Sequence, residues 1–219
     1  MPISTKLLCG GWLLAVCQMC AWAQTTADTS GNIAPPLART SFFFEAERLA
    51  GQRAAPFTQF TLIVNRSLAR APRYSWQLAA DGWAGGAEAY VSARLDACRR
   101  VAGEAHSIQT CGGLGVYHDV RAGGISPVAA ISAAGEWWRG RVSSYALFER
   151  AFTVPTFTYY QAEAAVALWH GRRARVSAGV LSRSIQHLGG KLAVEVAERA
   201  QVFVTAGSGR ATVGMGLRF

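Results

Sequence analysis

Arginines and carboxylates recur together along one side of many short segments of this chain, and they are the residues best equipped to do chemistry. Arg73, Arg94, Arg121, Arg175, Arg183 and Arg218 share such sides with Glu45, Glu47, Asp81, Asp96, Asp119, Glu136, Glu163 and Glu195. A guanidinium is a planar fork that matches carboxylate, phosphate or sulfate. Enclosed together, the two signs must pair, because an unpaired buried charge is costly. Two arrangements satisfy that requirement. Salt bridges can fill a closed interior, or Arg73, Arg94, Arg121, Arg175 and Arg183 can form a positive track for small anionic solutes. In the second arrangement Glu45, Glu47, Asp81, Asp96, Asp119, Glu163 and Glu195 hold the arginine rotamers; the residues themselves point only to anions. The formal charge of +9, with Lys6 and Lys191 the only lysines, suits an anionic ligand. A GC-rich coding sequence produces the same Ala, Gly and Arg excess with no ligand at all.

Nucleophilic chemistry has less to stand on. A histidine activates a serine on the same strand face when the two are spaced two apart. Here the histidines read His106-Ser107, His118-Asp119-Val120, His170-Gly171-Arg172 and His187-Leu188-Gly189. None has that spacing, and His118 and Asp119 point to opposite faces of a strand. The four read as loop or interfacial residues. No metal-ligand spacing, phosphate loop or dinucleotide fingerprint occurs, so no catalytic residue, metal or cofactor is expected and the chain is not read as an enzyme. No aromatic-basic motif for nucleic acid appears either.

The beginning of the chain carries an address. Lys6 precedes an apolar run from Leu7 to Ala15, and Ala21-Trp22-Ala23 forms a small-x-small cleavage site. Residues 1–23 therefore read as a secretory signal, with Gln24 as the mature N-terminus. A retained membrane anchor fits less well, because the run is short and lacks a stop-transfer flank. A lipoprotein reading fails at Val16 before Cys17, where a small residue is needed. Removal of the signal takes Cys9, Cys17 and Cys20 with it. Cys98 and Cys111 remain, flanking a polar loop, and read as one disulfide in an oxidising compartment or as two free thiols.

Residues 24–39 are polar, small and Pro-containing, a lead-in ahead of one domain at 40–219. The domain is built from alternating blocks of about ten residues, the length of a tilted membrane strand. Phe42, Phe44 and Ala46 oppose Phe43, Glu45 and Glu47. Trp76, Leu78 and Ala80 oppose Ser75, Gln77 and Asp81. Ala93 and Leu95 oppose Arg94 and Asp96. Tyr160, Ala162, Ala164 and Val166 oppose Tyr159, Gln161 and Glu163. Parity is ambiguous around Val128–Trp138 and Arg141–Phe152. Turn chemistry separates the blocks near 80–86 (Ala-Asp-Gly and Ala-Gly-Gly), at 121–124, at Pro155, at Gly189-Gly190 and at 207–209. Phe42, Trp83, Trp137, Trp138, Tyr159, Tyr160, Trp169 and Phe219 fall near block ends, as an interfacial girdle requires. After residue 23 no apolar run of ~18 residues remains for a membrane helix.

The last block places Val213, Met215, Leu217 and Phe219 on one side of a strand. Thr212, Gly214, Leu217 and Phe219 resemble, in order, the terminal signal by which bacterial outer-membrane β-barrels reach their assembly machinery. The resemblance is to that class, over residues 40–219, and not to one family within it. It implies an all-β, antiparallel up-and-down transmembrane barrel of about twelve strands, with ten or eight also fitting the blocks. It further implies residence in the outer membrane, contact with lipid and lipopolysaccharide, and both termini in the periplasm. Small arginine-rich barrels resemble porins for acidic sugars, and the resemblance implies a narrow channel for small anionic solutes or acidic oligosaccharides. A non-conducting accessory barrel in envelope or exopolysaccharide assembly is the alternative. About eight strands leave a filled interior and more open it.

Overall fold

The computed structural model describes residues 38–47, 57–68, 70–85, 88–153, 156–171, 173–184, 186–197, 199–207 and 210–219. Ala21, Ala23, Gln24, the rest of the signal and most of the lead-in lie outside the described residues. The last two lead-in residues, Ala38 and Arg39, already belong to the first strand.

Twelve strands follow one another: β1 (Ala38–Glu47), β2 (Phe57–Leu68), β3 (Ala71–Gly85), β4 (Glu88–Ala102), β5 (His106–Asp119), β6 (Ile125–Trp137), β7 (Val142–Ala151), β8 (Phe157–His170), β9 (Ala174–Arg183), β10 (Gln186–Val196), β11 (Ala200–Gly207) and β12 (Arg210–Arg218). Each pairs antiparallel with its neighbours in sequence. β12 pairs back to β1 from Ser41↔Arg218 to Glu47↔Thr212, so the sheet closes. The start of β1, the end of β12 and every even-to-odd turn share one rim, termed the terminal rim. The odd-to-even turns form the opposite rim.

The two faces invert the pattern of a water-soluble protein. Leu95, Leu114, Ile131, Leu168, Val202 and Val213 are all more than half exposed, whereas Arg94 and Asp96 are 3% and 2% exposed. Alternation of side chains along a strand makes this the direct consequence of the sequence pattern. An apolar outer face around a polar interior is the arrangement of a transmembrane β-barrel.

β6 and β7 explain why their parity was hard to read. Their inward positions include Val128, Ala130, Leu147 and Ala151, all buried. The inner face there mixes apolar residues with Glu149, so polarity no longer separates in from out. The break expected near 80–86 falls at its far end, where β3 stops at Gly85; its first part and the Gly189-Gly190 turn lie inside strands, and Pro155 lies outside the described residues. Asp81 and Gly82 sit within β3, where Phe60 of β2 covers Gly82. Gly189 and Gly190 sit within β10, beside a register shift between Gln186 and Gly189. The 121–124 turn is as expected: Asp119 accepts hydrogen bonds from the N–H groups of Arg121 (2.9 Å) and Ala122 (2.8 Å), and Gly123 takes φ +72°.

Candidate functional site: the barrel interior

Three adjacent inner-face positions of β3 and β4 define the centre of the site. Arg94 Nη1 lies 2.7 Å from Asp81 Oδ2, and its Nε lies 3.4 Å from Asp96 Oδ2. Gln77 Nε2 donates to the same Asp96 oxygen at 3.2 Å. The Arg94 guanidinium also donates to Glu149 Oε2 at 2.5 Å. Glu149 belongs to β7, so Arg94 passes over β5 and β6 to reach it.

That reach depends on what β5 presents. Its inward residues beside Arg94 and Asp96 are Gly115 and Gly113. A Cβ at Gly115 would collide with the Ala93 carbonyl oxygen, and one at Gly113 with the Leu95 carbonyl oxygen. Glycine is required at both by the close approach of β4. Three carboxylates thus surround one guanidinium, and the cluster is acid-rich.

Towards the opposite rim, aromatic rings close over this cluster. Tyr90 stacks on Tyr117 (5.3 Å between centroids) and Trp83 (6.1 Å), and Phe157 meets both tyrosines at 5.3 and 5.4 Å. Val128 and Ala151 complete the layer. Trp83 and Tyr159, expected in an interfacial girdle, therefore point inward instead; both fall at inward parity on their strands. Towards the terminal rim, Cys98 and Cys111 face each other across β4–β5 and form a disulfide.

The other half of the interior is also paired. Lys191 Nζ bridges both Glu163 oxygens at 2.8 and 2.9 Å and sits 4.6 Å above the Phe203 ring. Arg183 Nη2 donates to Thr205 Oγ1 at 3.4 Å, and Thr205 and Thr212 share a 2.6 Å hydrogen bond. Arg218 Nη1 bridges Glu195 Oε1 at 2.8 Å.

The expected site residues thus occupy several places. Arg94, Asp81 and Asp96 come together with Glu149. Arg183 is buried near the opposite rim; Arg175 is half-buried near the terminal rim, its Nε without a hydrogen-bond partner. Arg73 and Arg121 are exposed, near the terminal and opposite rims respectively. Glu45 and Glu47 of β1 pair in register with Gly214 and Thr212 of β12, and Asp119 caps its turn. Of the residues expected to form a terminal signal, Thr212 and Gly214 both have partners in the folded wall: Thr205 for the first, the covering Phe203 ring for the second. Leu217 faces outward, and Phe219 follows β12. Glu149 and Lys191 are the partners that alternation overlooked. Glu149 was hidden by the mixed inner face of β7.

Two of the histidines have contacts outside any Ser or Asp dyad. His106 stacks on Trp137 (6.3 Å), and His118 Nδ1 contacts the Gly124 carbonyl oxygen at 3.1 Å. Among the described residues no group of His, Cys, Asp or Glu is arranged to hold a metal ion.

No family model matches the sequence, and no curated protein matches it. Several solved structures are similar in fold. One, from work on the in-meso crystallization of membrane proteins, is 10% identical with a TM-score of 0.52 and covers 83% of each chain. The outer membrane phospholipase A from Escherichia coli is 12% identical with a TM-score of 0.47, covering 83% of this chain and 92% of its own. The KdgM porin is 10% identical with a TM-score of 0.43, covering 82% of this chain and 99% of its own. At such identities the first likeness is one of fold, and the other two carry no ligand or activity across. The chain has the fold of a twelve-stranded antiparallel barrel of the transmembrane type.

Proposed function

We propose that this chain is an outer-membrane barrel that is closed at rest, a structural or accessory barrel of the envelope rather than an open pore. The observation that carries this reading is the Arg94 bridge from β4 across to Glu149 of β7, with both side chains 3% exposed. Inner-face residues less than a tenth exposed come from every strand from β3 to β12, which is the burial of a packed interior. In this reading residues 1–23 export the chain, cleavage follows Ala23, and Thr212, Gly214, Leu217 and Phe219 present it to the barrel assembly machinery. The outer face meets lipid and, in the outer leaflet, lipopolysaccharide.

One observation favours a second reading, a narrow channel for small anionic solutes. Arg73, Arg100, Arg175 and Arg218 hold inward positions near the terminal rim and would draw anions into that mouth. The acid-rich cluster at mid-depth opposes their onward passage. Single-channel recording on the refolded protein in planar bilayers separates the two. A closed barrel gives no steady conductance in the wild type. Steady anion-selective steps would overturn the closed reading and establish the channel.

A further inference from the structure

A shallow groove of about 320 Å³ runs over the outer surface of β3, β4 and β5 near the terminal rim, lined by Tyr74, Ala97, Arg99, Thr110 and Gly112. The register arranges it in rows. Tyr74, Arg99 and Thr110 lie side by side at the rim end of the groove; Trp76, Ala97 and Gly112 come next; Leu78, Leu95 and Leu114 follow. A cationic, hydroxyl-bearing head therefore stands above a floor of the two smallest side chains, and the floor leads into leucines.

Gly112 is informative because the protein itself does not require it. A Cβ there would meet nothing closer than 3.9 Å, in contrast to Gly113 and Gly115 on the inner side of the same strand. Glycine weakens a strand interior and marks places where another group approaches closely. Arg99 adds a second sign of a missing occupant: its exposed guanidinium makes no hydrogen bond or ion pair with any described residue.

The surrounding field points to an anion. Among described residues, the four positions of each strand nearest the terminal rim, with the adjoining turns, hold twelve arginines and three carboxylates. The same count at the opposite rim gives four and five. Exposed Tyr74, Trp76, Trp138 and Trp169 share the terminal rim, the mixture of aromatic and basic groups suited to a lipid headgroup layer.

We propose that this groove holds one phospholipid of the leaflet around the terminal rim. Its phosphate accepts hydrogen bonds from Arg99 and Thr110, and one acyl chain lies over Ala97 and Gly112 between Trp76 and Ile131. The proposal rests on the reading that the outer face meets lipid, and it adds a place and a headgroup chemistry to it.

Native mass spectrometry of the folded full-length barrel tests it, with phosphatidylglycerol, a diacylglycerol of the same tails, or inorganic phosphate as probe. One phosphatidylglycerol is expected to stay bound, while neither the diacylglycerol nor phosphate alone is retained. Arg99→Gln, by removing a charge-assisted contact, and Gly112→Leu, by filling the floor, each lower occupancy about tenfold. Arg150→Gln, on the outer face near the opposite rim, leaves it unchanged. Retention of phosphatidylglycerol that neither Arg99→Gln nor Gly112→Leu reduces overturns the site, as does equal retention of the diacylglycerol. Heat-modifiable gel mobility in vesicles reads the fold separately. A wild-type chain that never folds into vesicles defeats the membrane reading itself, whereas a folded barrel without selective retention defeats only the groove.

Discussion

Replacing Arg94 by methionine is the most direct test of a packed interior. The substitution keeps much of the side chain's volume but leaves Asp81, Asp96 and Glu149 facing one another, with Asp96 and Glu149 only 2% and 3% exposed. At 2.7 Å from Asp81, the gross Coulomb attraction is about 6 kcal/mol at an effective dielectric constant of about 20. Desolvation of the guanidinium offsets part of that. Breaking a buried pair from one side costs roughly 3–5 kcal/mol, since the stranded charges have neither water nor partner. Arg94→Met should therefore lower stability by about that much, measured by urea unfolding of the barrel in neutral vesicles with tryptophan fluorescence. Adding Asp81→Asn, Asp96→Asn and Glu149→Gln should recover most of the loss, because the quadruple variant buries no unpaired charge. A cost below about 1 kcal/mol for Arg94→Met, the level of an exposed ion pair, would refute the reasoning: the cluster would then sit in water and the lumen would be open.

Three further outcomes follow from the same interior. Gly115→Ala should cost more than about 2 kcal/mol, or block folding, because its Cβ meets the Ala93 carbonyl, while Gly112→Ala should stay within about 0.5 kcal/mol; equal effects in urea unfolding would contradict the close approach of β4 to β5. Tyr90→Ala removes the ring that touches Trp83, Tyr117 and Phe157 and should cost about 3–5 kcal/mol by the same measurement, with a loss below about 1 kcal/mol counting against the aromatic layer. Cys98→Ser with Cys111→Ser should cost no more than about 3 kcal/mol, the loop-entropy limit for residues 13 apart, because the β4–β5 ladder already joins them; a larger loss would mean that the pair bears on packing beyond its own hairpin.

Much of the wall was legible because one physical rule governs it. Lipid outside and paired polar groups inside force alternation, so the inward and outward sets of β3, β4, β8 and β12 follow from residue type alone. The rule fails where the interior stops being polar. Val128, Ala130 and Leu147 turn apolar groups inward, and Glu149, the residue that carries the bridge from β4 to β7, lies on that same stretch. The asymmetry between Gly112 and Gly115 was equally hidden, because it depends on the approach of a neighbouring strand. Trp83 and Tyr159 show the same limit. Position near a strand end suggests an interfacial ring, but strand parity decides on which side of the wall the ring lies.

The β1–β12 seam has a consequence for how the molecule comes into being. Its seven residue pairs join the first strand described to the last. Ten strands separate β1 in the chain from the partner that completes it, so until β12 is made one row of its amides and carbonyls has no native mate. In hydrocarbon each such group would cost several kcal/mol, and in water it would template pairing with another chain. The wall therefore has no useful partial form. Ten hairpins' worth of correct register accomplish nothing for the membrane until Arg210–Arg218 arrives, and the final strand acts as a latch whose absence leaves two edges open rather than one gap.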